Sequence, residues 1–180
     1  MNMMTAYLVD GDAPIVVMGA SGSGKTTVGL ALATRLSADF LDADDLHSPE
    51  NREKMATGHP LNDDDRLPWL HAVGQHMKDA AARRQPTVVA CSALTRRYRD
   101  VLREYVPGAP FVYLRGTPAL LDARLRARTN HFMPRSLLES QLATLEPLGD
   151  DEHGVTVDIN TDVARIVDEI IGALTVSPRN

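Results

Sequence analysis

The chain has 180 residues and a mass of 19.6 kDa, about one domain's length, and its 43% hydrophobic and 24% charged residues exclude a disordered composition. Its formal net charge of −5 gives nucleic acid no overall attraction, and the lone cysteine, Cys91, excludes an internal disulfide framework and suits a reducing, cytoplasmic compartment. Met1 to Asp12 does not read as a signal peptide, and no apolar run approaches the ~20 residues that a membrane span needs.

Along the chain, short apolar runs alternate with helical patterns. A first strand is predicted at 15–18, followed by a helix over 26–36 that carries Val28, Leu32 and Leu36 on one face. A second strand is predicted at 40–42. The acids between Asn62 and Asp65 then suit the start of a helix that buries Trp69, Leu70, Val73 and Met77. Further strands are predicted at 88–92, 111–114 and 155–159. Leu138, Leu142 and Leu145 mark a helix that Pro134 can open, and Val163, Val167, Ile170 and Leu174 mark the last one. The strands lack strict alternation, as expected of strands covered on both faces. The chain therefore reads as a single α/β domain over 1–180, ordered from about 13 to 175, with helices wrapped around a parallel sheet.

The segment Gly19-Ala20-Ser21-Gly22-Ser23-Gly24-Lys25-Thr26 satisfies G-x-x-x-x-G-K-[ST] at every fixed position, between the first strand and the first helix. Its glycines let backbone N–H groups curl around phosphate oxygens, and the helix N-terminus adds a favourable dipole. The motif assigns Gly19, Ser21, Gly22, Ser23, Gly24, Lys25, Thr26 and the adjoining Thr27 to ATP. Lys25 reaches the β and γ phosphates, and the Thr26 hydroxyl is a direct Mg²⁺ ligand. The dinucleotide fingerprint fails, because Thr27 stands where its third glycine would fall.

A GTPase would need Asn-Lys-x-Asp, which the sequence lacks, so Asp151-Glu152-His153-Gly154 reads as a coincidental match to a switch motif. Among the strand ends, only the one at Phe40-Leu41 is followed by acids suited to a nucleotide site, Asp42 and Asp44. At i, i+2 beyond a strand both can face the crevice, Asp42 holding Mg²⁺ through water and Asp44 meeting a substrate hydroxyl. His47 has no nearby cysteine and no ligand-like spacing to the other histidines, so a zinc site is not expected. Of the 19 cationic residues all but Lys25, Lys54 and Lys78 are arginine. Two groups of them, Arg96, Arg97, Arg99 and Arg103, then Arg124, Arg126 and Arg128, suit a small anionic ligand.

Several longer strings resemble the P-loop gluconokinases. They are Asp42-Ala43-Asp44-Asp45-Leu46-His47, Lys54-Met55, Gly58, Pro60-Leu61-Asn62-Asp63-Asp64-Asp65-Arg66 and Pro68-Trp69-Leu70. Further matches are Cys91-Ser92-Ala93-Leu94, Tyr98-Arg99-Asp100, Arg124, Arg128, His131-Phe132, Ser140-Gln141 and Leu145-Glu146-Pro147, so the resemblance runs from about Ile15 to Ile171. Asn130 and Thr95-Arg96 depart from the family's usual glycine and lysines. The resemblance implies ATP-dependent phosphorylation of D-gluconate at its 6-hydroxyl, with Mg²⁺. It also implies a three-layer P-loop kinase fold with strand order 2-3-1-4-5, a mobile lid at about 124–146 and a homodimer. On that reading the catalytic residues are Lys25, Asp42, Asp44, Arg124 and Arg128. Asp44, His47, Lys54, Asp63, Arg66, Ser92, Arg97, Arg99, His131 and Gln141 are the substrate candidates. A kinase of another hydroxy acid, such as shikimate, and a non-catalytic nucleotide switch are the alternatives.

Overall fold

The computed structural model describes residues 13–128 and 134–176. The central strand β1 (Ile15–Met18) is buried at every position, because it has hydrogen-bonded neighbours on both sides and helices on both faces. The pleat divides its side chains. Ile15 and Val17 enter one core with Val28 and Leu32 of α1 (Lys25–Leu36) and Ile166 and Ile170 of α7 (Val163–Val176). Val16 and Met18 enter the opposite core with Trp69, Leu70 and Val73 of α3 (Asp63–Ala82) and Leu102 of α4 (Arg96–Tyr105). The result is three layers, helices over sheet over helices.

Around β1 stand β2 (Asp39–Asp42), β3 (Thr87–Ala90), β4 (Phe111–Arg115) and β5 (Gly154–Asp158), all parallel and in the order β2-β3-β1-β4-β5. This is the order the family resemblance implies. The chain winds from β1 to one edge and then crosses to the other, and the resulting reversal opens a crevice at the strands' carboxyl ends. Each observed strand lies within two residues of its predicted position. β3 ends at Ala90 rather than at 92, although the Cys91 N–H still bonds Val17 O (3.0 Å) and Ser92 O still accepts from the Gly19 N–H (3.4 Å), and the chain turns away at Ala93, whose φ is positive.

Local chemistry explains most helix ends. Asn62 accepts from the N–H of Asp65 while the Asp65 carboxylate accepts from the N–H of Asn62, a reciprocal cap that starts α3 where the acid run predicts. Ser48 caps α2 (Pro49–Ala56), and Thr117 caps α5 (Pro118–Ala127). In α6 (Arg135–Thr144) Pro134 occupies the capping position and Leu145 lies just past the end, so the observed helix is slightly shorter than its leucine pattern predicts. Arg128 likewise lies beyond α5 on extended backbone, so Arg124 and Arg128 do not share a helical face despite their four-residue separation. Behind the sheet's crevice, α1 meets β2 at Gly29, where an added Cβ would lie 2.6 Å from the Phe40 ring. No helix among the described residues is long and apolar enough to cross a membrane.

One polar group is buried as deeply as the apolar core. Arg99 is 0% exposed and gives two hydrogen bonds to Glu152 (2.7 and 2.8 Å) and others to Ala93 O and Glu146 O (3.1 and 3.0 Å). Arg103 adds a third bond to Glu152 (2.7 Å). Burial alone would push the Glu152 carboxyl up, but hydrogen bonds from Arg99, the Gly149 amide and Arg103 outweigh it and hold the pKa at about 2. The Asp-Glu-His-Gly string is therefore a structural anchor. Glu152→Ala strands the buried guanidinium, and denaturant unfolding should show a loss of about 3–5 kcal/mol. A carboxyl depressed in the folded state stabilises above its unfolded pKa. That contribution should fade as pH falls from about 4.5 to about 2, less so in Glu152→Gln.

Candidate active site

Three loops leave the carboxyl ends of β1, β3 and β2 and converge on one cleft. The first is the glycine loop. Gly22 (φ 84°) and Gly24 (φ 89°) hold left-handed conformations, and Gly24 serves as the N-cap of α1 without any side-chain cap. At Gly22 a Cβ would lie 2.9 Å from Leu121 O, so α5 closes the loop from outside. Ser23 is buried inside the turn. The half-buried Lys25 folds back so that its ammonium donates to Ala20 O (3.1 Å). Burial lowers the Lys25 pKa, with Arg128 adding to the drop, while Asp44, Cys91 and Asp42 pull the other way.

The second loop carries the two acids. The Thr26 hydroxyl donates to Asp42 Oδ2 (3.1 Å), and Asp42 Oδ1 accepts from the backbone N–H of Asp44 (3.0 Å), which starts a short 3₁₀ turn at Ala43–Leu46. Asp42 therefore faces the glycine loop, as its spacing predicts. The Asp44 side chain is 71% exposed in the open cleft, yet the water it has lost to the surrounding walls raises its pKa, and Lys25 is the chief opposing charge.

The third loop, Cys91 to Leu94, closes the cleft between them. Ser92 O accepts from the Gly19 N–H (3.4 Å), and Leu94 O accepts from the Glu146 N–H (2.7 Å). Ala93 takes an unusual positive φ of 43°, held there by the Arg99 bond to its carbonyl. Cys91 is a core residue, and burial drives its thiol pKa up to about 12.

Together these loops and the helices α2, α3 and α6 enclose about 630 Å³, counting the open mouth. Ser21, Lys25, Asp44, His47, Arg66, Ser92 and Gln141 line it among the expected residues. His47 stacks on Trp69, with ring centroids 4.1 Å apart and planes 15° apart. Gln141, from α6, accepts through Oε1 from the Ser21 N–H of the glycine loop (2.8 Å). Arg124 approaches Gly24 from α5 and donates to Ile159 O (2.8 Å).

Other candidates are engaged elsewhere. Lys54 is drawn to Asp65 (2.6 Å), and Asp63 binds Arg97 (2.7 Å) and the Tyr98 hydroxyl (2.5 Å) at the rim. Arg99 does not reach the cleft, because its guanidinium is spent on Glu152 and the carbonyls around it. This corrects its assignment as a substrate contact. His131 lies outside the described residues. The cleft also uses residues to which the sequence alone assigns no role, including Met55, Pro60, Leu61, Leu137 and Ser140. Trp69, expected in the core, both packs there and forms part of the wall, with its Nε1–H tied to Ala43 O (2.7 Å). Among the described residues no cluster of three or more His, Cys, Asp or Glu is arranged to hold a metal ion.

The family model for the AAA domain matches residues 15–148, which contain all three loops. The Gluconobacter oxydans gluconokinase is 46% identical over 157 residues, covering 87% of this chain and 88% of its own. The thermoresistant gluconokinase of Escherichia coli is 46% identical over 157 residues, with 84% and 87% covered. A crystal structure of a gluconokinase from Sinorhizobium meliloti superposes with a TM-score of 0.83 at 48% identity, covering 91% of this chain and 92% of that one. The chain belongs to the gluconokinase family. An APS kinase from Mycobacterium tuberculosis, at 17% identity and a TM-score of 0.67, shares the fold alone.

The shape of the glycine loop depends on positions that exclude side chains. Gly22→Ala combines a strained φ with a collision against Leu121 O. Isothermal titration should show nucleotide affinity reduced at least about tenfold, while circular dichroism stays native.

Proposed function

We propose that the protein transfers the γ-phosphoryl group of ATP to the 6-hydroxyl of D-gluconate, giving 6-phospho-D-gluconate and ADP. The carrying observation is that Lys25 of the phosphate loop and Asp44 beyond β2 line the same cleft. The named gluconokinases among its relatives supply the acceptor. In this reaction the substrate oxygen forms a bond to the γ-phosphorus, the bond to the bridging β–γ oxygen breaks, and ADP leaves with that oxygen. The transition state is loose, so positioning and charge stabilisation dominate.

Lys25 and the loop amides hold the phosphates. Asp44, with a carboxyl raised above the ordinary range by desolvation, orients the acceptor hydroxyl and accepts its proton. The Thr26 hydroxyl and Asp42 carboxylate are hard oxygen donors side by side, which suits Mg²⁺, Thr26 binding directly and Asp42 through water. Bound there, Mg²⁺ neutralises phosphate charge. Arg124 of α5 and Arg128 just past its end add positive charge where the phosphoryl group passes.

For the sugar acid, Arg66 is a cation that lines the cleft alongside Lys25, with His47, Ser92 and Gln141 as hydrogen-bonding partners. Lys54, Asp63 and Arg97 belong to the outer part of the same reading, and His131 is included through the family resemblance alone. The lid that the family resemblance implies at about 124–146, of which 129–133 lie outside the described residues, is assigned the exclusion of water, which would otherwise divert the phosphoryl group to hydrolysis. A cytoplasmic location, supported by the lone reduced Cys91, and a homodimer, implied by the family resemblance, complete the proposal.

A coupled ADP-release assay with gluconate, shikimate, glucose and nucleotides as acceptors tests the reaction. Gluconate alone should stimulate turnover strongly. Stimulation by another acceptor and not by gluconate overturns the proposal, and nucleotide binding without any acceptor effect favours a switch. Asp44→Asn should lower kcat by about 10²–10⁴ while ATP-analogue affinity changes less than about threefold.

A further inference from the structure

We propose that Asn51 is a positioning residue that fixes the tautomer of His47, so that a neutral imidazole offers an Nε2–H donor at the Asp44 end of the cleft. The catalytic use of that donor rests on the proposed phosphoryl transfer; the tautomer itself does not.

The chain of constraint starts at a backbone carbonyl. Asn51 lies in the first turn of α2, 7% exposed, with its N–H bound to Ser48 Oγ (3.1 Å). Its side-chain Nδ2 donates to Asp65 O (2.9 Å), and a carbonyl can only accept, so the amide cannot be flipped. The remaining hydrogen on Nδ2 faces His47 Nδ1 at 3.5 Å. A proton on Nδ1 would set two donors against each other, so Nδ1 keeps its lone pair and the ring proton resides on Nε2. The ring plane is fixed independently by the stack on Trp69, itself anchored to Ala43 O.

The ring is also uncharged. Burial, then the positive charges of Arg52 and Arg66, lower the His47 pKa to about 4, and the Asp44 carboxylate, 3.8 Å from Nε2, does not reverse that direction. The Nε2 to Asp44 distance is too long for a direct hydrogen bond and leaves both groups open to a third oxygen.

A hydroxyl that accepts from Nε2–H has its own hydrogen left for Asp44, so the proton is aimed at one carboxylate. In the opposite tautomer, Nε2 would compete with Asp44 for that hydrogen. An imidazolium would instead draw the carboxylate into an ion pair. Only the tautomer selected by Asn51 lets both residues act on one oxygen in complementary roles.

Nitrogen NMR of the uniformly ¹⁵N-labelled whole protein, with His47 assigned by the signals lost in His47→Gln, tests the assignment without any acceptor. At pH 7 the expected pattern is a protonated Nε2 and a bare Nδ1. A protonated Nδ1, or two protonated nitrogens, overturns the proposal. In kinetics, Asn51→Leu should raise the gluconate KM about tenfold, the effect of one misdirected hydrogen bond, while the ATP KM stays within about twofold. An unchanged gluconate KM also overturns it. Glutamine places a donor near the Nε2 position and asparagine does not, so His47→Gln should retain about tenfold more activity than His47→Asn; equal impairment counts against the proposal. Should Asn51→Leu fail to fold, the wild-type spectrum still decides. Should gluconate not be phosphorylated, that result bears on the reaction, and the spectrum still decides the tautomer.

Discussion

The cleft depends on the register of three neighbouring parallel strands. Asp42 of β2 pairs with Ala90 of β3, and Ala90 pairs with Val17 of β1, so the three residues form one row across the sheet. Two positions beyond that row stand Asp44, Ser92 and Gly19, one from each strand, and these begin the chemistry. Because strand side chains alternate, a slip of one residue in any pairing would send an acid or the loop to the wrong face. The hydrophobic division of β1, with Ile15 and Val17 on one side and Val16 and Met18 on the other, penalises such a slip.

A second constraint keeps the three loops in place once the strands have delivered them. Arg99 reaches from α4 to the carbonyls at Ala93 and Glu146 while Glu152 neutralises its charge. It thereby joins the β3 loop, the end of α6 and the approach to β5. A buried ion pair adds little net stability compared with apolar packing of the same shape, but its geometry is unforgiving. What it contributes here is a fixed position for Ala93 in an unfavourable conformation, and hence for Ser92 beside Gly19.

The phosphate loop is fully legible in the sequence, because its spacing and its strand-to-helix setting are local. So are Asp42 and Asp44, whose strand ends at a clear apolar boundary. Strand order comes only through the family resemblance, since periodicity does not say which strands are neighbours. The arginines are harder to read. Arg97 and Arg99 are two positions apart, yet one sits at the rim with Asp63 and the other is wholly enclosed by Glu152, a partner 53 residues away. Lys54 has the charge expected of a substrate cation, but it is bound to Asp65. The spacing of Trp69 marks it as core, which is half the answer, since a ring edge can pack inside while a face forms a wall. Asn51 gives no signal, because its importance depends on a carbonyl from a different helix.

The contact between Gly29 and Phe40 lies one helical turn beyond Thr26 and two residues before Asp42. There the helix and the second strand approach until a lone hydrogen separates backbone from aromatic ring. The same two elements carry Thr26 and Asp42 only a few residues away, so this close approach also sets the reach between that hydroxyl and that carboxylate. A methyl group placed there would act as a wedge, prying the hydroxyl from the carboxylate without touching either.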